Sequence, residues 1–123
     1  MATGIVPPGW PKDLPPPASP EFEVKVVRWL LDRGPDGLRE QDVLRRYPLA
    51  LATLVTRHQK ATLAGLRGSY SNARRELGDR LPPHELGLVL AAIESSGAEA
   101  SETSRQVELV LDALSGRQWR DRL

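Results

Sequence analysis

PHELGLVLAAIESSGAEASETSRQVELVLDAL, residues 83–114, decides the fold. Within it Leu86, Leu90, Ile93, Gly97, Ala100, Ser104, Val107, Leu111 and Leu114 recur in steps that alternate four and three without exception. Such a series forms one stripe along a helix, the seam of a coiled coil. The stretch therefore predicts a long helix with a second helix laid along it.

The partner lies immediately upstream. Between Pro48 and Gly78 a matching but weaker series runs Ala52, Val55, Gln59, Leu63, Leu66, Tyr70, Ala73, Leu77. Gly65 and Gly68 each weaken a helix by about 1 kcal/mol relative to alanine, but nothing forces a break. At 1.5 Å per residue this helix is about 45 Å long. Gly78-Asp79-Arg80-Leu81-Pro82-Pro83 is a short turn, so the two helices should pack as an antiparallel hairpin.

Further upstream, a helix is expected from Pro20 to Arg33. Ser19 suits its N-cap and Pro20 its first position, and Gly34-Pro35 stops it. Its polar residues Lys25, Arg28 and Asp32 share one narrow face, and Val24, Val26, Val27, Trp29, Leu30 and Leu31 cover most of the rest. Such a helix is buried on more than one side. Asp36-Gly37 reads as a turn before a short helix over 39–46, with Val43, Leu44 and Tyr47 inward. The expected architecture is all-α: a proline-rich arm over 1–19, a helical domain over 20–115 with helices at about 20–33, 39–46, 48–78 and 83–115, and a tail over 116–123. Two-sided burial of the first helix asks for more surface than a lone hairpin offers, and a homodimer paired through the hairpins would supply it.

Composition excludes several function classes. The 123 residues contain no cysteine, which removes disulfides, thiolate catalysis and thiolate metal sites. A net charge of +1 gives no global field to attract nucleic acid or an anionic membrane. No apolar run approaches a membrane span and no signal peptide pattern opens the chain, so a cytoplasmic setting is expected. His58 and His84 have no partners at metal-ligand spacing, and no nucleophile elbow, phosphate loop or dinucleotide fingerprint occurs. No catalytic residue, metal or cofactor is expected.

Three constellations remain. The hairpin separates charge: Arg57, Lys60, Arg67, Arg74 and Arg75 against Glu76 on the first long helix, a net of +4, and six acids against Arg105 on the second, a net of −5. Either these helices pair across the hairpin, the favoured reading, or Arg45, Arg46, Arg57, Lys60, Arg67 and Arg74 form a stripe for RNA. Small residues cluster on both long helices, Gly65 and Gly68 on the first and Gly97, Ala100 and Ser104 at mid-length on the second, as a candidate close-packing or dimer face. A small molecule could also sit between helices near Gly65 and Gly97.

Seven of eleven prolines lie in the first twenty residues, with Trp10 among them. A free polyproline ligand has no need of an indole, so residues 6–20 read as a strap pinned at Trp10 and at the Ser19 cap. Trp119, in the tail, and Trp10 are also candidate partner anchors, because tryptophan is favoured at interface hot spots.

The combination of Pro7-Pro8-Gly9-Trp10-Pro11, Trp29-Leu30-Leu31-Asp32 and Val43 to Ala52 resembles a family of small uncharacterised actinobacterial proteins. The likeness runs over most of the chain, through Val107-Glu108-Leu109-Val110. It implies a bacterial cytoplasmic setting and adds no site residue. The function expected is a non-enzymatic interaction or regulatory protein with a protein partner. An RNA- or ribosome-associated factor is the alternative, and a small-molecule-sensing module comes third.

Overall fold

The computed structural model describes residues 6–116. Its elements are α1 (Phe22–Leu31), a 3-10 turn (Asp36–Glu40), α2 (Asp42–Arg46), α3 (Pro48–Leu77) and α4 (Pro83–Leu114). The fold is all-α, and α3 and α4 form the long antiparallel pair. Proline opens both long helices, where its missing N–H costs nothing and its fixed φ suits the first turn.

Every position of the predicted α4 seam is buried or half-buried. On α3 the matching series behaves the same way except at Tyr70, which is 43% exposed. Thr56 Oγ1 donates to the Ala52 carbonyl at 2.7 Å, which removes the cost of burying a hydroxyl. Among the described residues, no buried side-chain nitrogen or oxygen lacks a hydrogen bond.

The core lies at one end of the hairpin. Phe22, Val26, Trp29, Leu30 and Leu31 of α1 join Leu51, Ala52 and Val55 of α3, Val107 and Val110 of α4, Leu44 of α2 and Leu14 of the arm. Each fully buried large side chain here contributes roughly 1.5–3 kcal/mol. Gly34 permits this closeness: a Cβ there would stand 3.0 Å from Val55 Cγ2 and 3.1 Å from Leu38 Cδ1. Gln59 then reaches back to the end of α1, its Nε2 donating to the Arg33 carbonyl at 2.6 Å. Past this end the hairpin is only two helices thick, and of α3 beyond Gln59 and α4 before Ala100 only Ala73 and Leu90 are buried.

The first half of the domain departs from expectation in three places. Regular α1 begins at Phe22 and not at Pro20, because the preceding turn is tighter: Phe22 N–H donates to the Ser19 carbonyl three residues back. Ser19 still accepts from Glu21 N–H with its hydroxyl at 3.3 Å. Val24 points outward, 76% exposed. The segment over 39–46 is broken by extended backbone at Gln41, which separates the 3-10 turn from α2. That break leaves Leu44 as the one buried residue of α2, with Val43 and Tyr47 exposed.

The arm is a run of turns. Trp10 N–H bonds to the Pro7 carbonyl, Leu14 N–H to Pro11 and Ser19 N–H to Pro16. Gly9 has φ of +87°, a conformation L-residues rarely adopt, and it faces Leu109 of α4. Pro11 and Leu14 are buried, so the arm covers α1 on the side α3 does not. The two-sided burial of α1 is thus supplied within one chain, and it does not by itself call for a second copy.

Candidate functional site

Two tryptophans hold the arm. The Trp10 ring stands 6.0 Å from Phe22 at a tilted angle, and its Nε1 donates to the Leu14 carbonyl at 3.2 Å. Trp29 is buried with its indole N–H directed outward, where Asp13 Oδ1 accepts at 3.1 Å. The other carboxylate oxygen lies 3.5 Å from Arg33, whose guanidinium stacks 3.9 Å above the Trp29 ring. Burial pushes the Arg33 guanidinium below its ordinary pKa, while Asp13 and Asp32 oppose the shift. Trp10 therefore stands as a packing residue in this chain. Trp119 lies outside the described residues.

The basic residues fall into two groups. Arg57, Lys60, Arg67 and Arg74 lie along α3, and only Lys60 reaches an acid across the hairpin, Glu108 at 3.1 Å. Among the described residues Arg57, Arg67 and Arg74 form no ion pair, so pairing between the two long helices is limited to one bridge. Arg45 and Arg46 belong to a different surface. They sit on α2 and, with Arg28 of α1 and Arg39 of the 3-10 turn, ring an open groove of about 570 Å³.

Gln41, extended, separates the 3-10 turn from α2. The apolar part of the groove's lining is Val24, Val27, Leu31 and Pro48. The groove's single acidic lining residue is Glu23. Arg39 is held by Asp32, donating to Oδ1 at 2.8 Å, and Arg45 donates to the Arg39 carbonyl at 2.8 Å. This hydrogen bond from Arg39 holds the Asp32 carboxyl below the usual carboxylate range; slight desolvation opposes it, and the charges of Arg39, Arg33 and Arg28 reinforce it. Arg28 and Arg46 make no ion pair among the described residues. The groove thus combines exposed aliphatic surface with these two guanidiniums, and its chemistry is recognition.

The small-residue positions divide. Ala100 and Ser104 are buried in the α3–α4 interface. Gly65, Gly68 and Gly97 face open space, since a Cβ at any of them would meet nothing within 4 Å. They mediate no close crossing within the chain. His58 and His84 stand apart on different helices, and no group of three or more metal-ligating side chains occurs among the described residues. A second, smaller cleft of about 340 Å³ lies where Pro8 and Gly9 meet Glu102, Arg105, Glu108, Leu109 and Asp112 of α4. No described helix is long and apolar enough to cross a membrane.

Sequence reading did not find Arg28, Arg39 or Val24 as a site, because all were assigned to helices by periodicity alone. The available signal was arginine density: Arg39, Arg45 and Arg46 crowd eight residues that end beside Pro48. No protein-family model, curated protein or solved structure matches the chain.

Proposed function

We propose that this chain is a non-enzymatic, cytoplasmic interaction or regulatory protein that presents helical surface to a protein partner. One observation carries the reading. Among the described residues, four of the seven exposed large apolar side chains, Val43, Tyr47, Leu49 and Leu54, fall within residues 43–54 with Arg45 and Arg46 between them; Val24 stands on α1, and Tyr70 and Leu88 lie further along the hairpin. Scattered exposed apolar residues need no explanation, but a concentration of them beside guanidiniums has the composition of an interface. Leu44 anchors this segment in the core at one end of the hairpin, which limits the entropy lost on binding.

A photo-crosslinking amino acid placed in turn at Tyr47, Leu49, Tyr70 and Leu88, in the host cell, tests the reading. A discrete adduct with one protein is the expected result. No protein adduct from any of the four positions would refute it.

A second reading, an RNA-associated factor, is favoured by Arg57, Arg67 and Arg74, which lie along one side of α3 and form no ion pair among the described residues. Phosphate-driven binding weakens steeply with salt. Failure to bind RNA at low salt would sink this alternative, and the triple alanine variant should lose any binding that exists.

A further inference from the structure

The groove between α1 and α2 specifies its occupant more closely than the surface as a whole. Its lining carries Arg28, Arg39, Arg45 and Arg46 against the single acid Glu23, and its apolar part is wholly aliphatic. Asp32 pairs with Arg39 from outside the lining, while Arg28 and Arg46 form no ion pair among the described residues. Val24 is the most exposed large apolar side chain among the described residues and helps line this groove.

We propose that the groove docks an acidic peptide segment of a partner protein, with aliphatic side chains of the segment covering Val24 and Val27 and carboxylates pairing with Arg28 and Arg46. Guanidinium forks match carboxylates in two parallel hydrogen bonds, and such pairs gain strength beside apolar surface that excludes water. The apolar lining argues against a polynucleotide: Val24, Val27, Leu31 and Pro48 offer no aromatic platform for base stacking, and Glu23 would face the phosphates. A second copy of this chain, offering its acidic α4, is the competing protein occupant, and the test separates it. The inference rests on the interaction reading above.

The probe is an array of synthetic peptides of about 15 residues, long enough to present a helical face, in which glutamate and leucine content vary independently, with polyglutamate and polyuridylate as controls. Peptides carrying both residue types should bind the full chain, and polyglutamate roughly ten-fold more weakly, because it leaves the aliphatic lining uncovered. Val24→Asp and Arg46→Glu should each lower affinity by about ten-fold or more, the first through lost apolar surface together with added negative charge and the second through charge alone. Both side chains are exposed, and an unchanged helical circular dichroism spectrum confirms that each variant is folded. Arg46→Glu should in turn gain affinity for the peptide with one glutamate changed to lysine.

The proposal is overturned if no acidic-aliphatic peptide binds, if neither variant weakens binding, or if polyuridylate binds as well as the peptides. Concentration-dependent dimerisation lost in Val24→Asp would assign the groove to a second copy and equally overturn it. Loss of the groove assignment with the host-cell crosslink intact leaves the interaction reading standing; loss of the crosslink at every position removes that reading itself.

Discussion

The Asp13 clamp gives a stability prediction whose size follows from the geometry. Asp13→Ala removes the acceptor of the part-buried Trp29 N–H, a 3.1 Å bond, and the 3.5 Å ion pair with Arg33. A hydrogen bond to a charged acceptor contributes about 1.5–3 kcal/mol, and here the lower part of that range applies because water can reach the outward-facing N–H. The ion pair adds little, about 0–1 kcal/mol, because the Asp13 carboxylate is well exposed. The expected loss is therefore about 2 kcal/mol, or a fall in Tm of roughly 6–12 °C for a domain of this size. Asp13→Asn keeps an oxygen for the indole and loses only charge, so it should cost about 0.5–1 kcal/mol. Urea denaturation followed by circular dichroism reads all three proteins without depending on tryptophan emission. A cycle with Trp29→Phe isolates the pair, and its coupling should reach about 1 kcal/mol or more. A coupling near zero, or an Asp13→Ala cost below about 0.5 kcal/mol, would refute the clamp and return the arm to the status of a tail.

Glycines give two opposite outcomes on the same assay. Gly65→Ala, Gly68→Ala and Gly97→Ala should each stabilise by up to about 1 kcal/mol, since the added methyl meets nothing and helix propensity improves; destabilisation would show that these positions are closely packed in solution. Gly34→Ala should cost about 1–3 kcal/mol, because its methyl presses on fully buried Val55. For Asp32, NMR titration should give a midpoint below that of an ordinary aspartate, moving upward in Arg39→Ala. The sign follows: a carboxyl whose pKa is depressed on folding adds stability at neutral pH, and that contribution fades as pH falls through the folded value. Asp32→Asn should lack this acid-side loss, and an identical pH–stability profile in both proteins would count against the Arg39 hydrogen bond.

The hairpin was legible because its information is periodic. The seam of α4 repeats over more than four heptads, so no single residue had to be read correctly. The region over 36–46 carries no such redundancy. Its outcome turns on one backbone conformation, extended Gln41, which splits a continuous apolar pattern and sends Val43 and Tyr47 to solvent. The groove draws Arg39 and Arg45 from the two sides of that residue, so the candidate site was hidden in the same stretch. The arm was half legible. Trp10 announced packing, but the partner of Trp29 is Asp13, sixteen residues away, and the only signal was that Asp13 is the arm's sole acid. Charge patterning misled in the opposite sense: oppositely charged helices predict several bridges, yet among the described residues only Lys60 and Glu108 form an ion pair between α3 and α4.

The two-helix stretch leading to the 78–82 turn leaves hairpin length a free parameter. The groove sits at the other end of α3, about 45 Å from the turn at 1.5 Å per residue. Adding or removing one heptad in α3 together with one in α4 would preserve the seam and move only the tip. Chains built on this plan can therefore differ widely in size while keeping one recognition end. The tip in turn is a natural place for a label, a tether or an inserted domain.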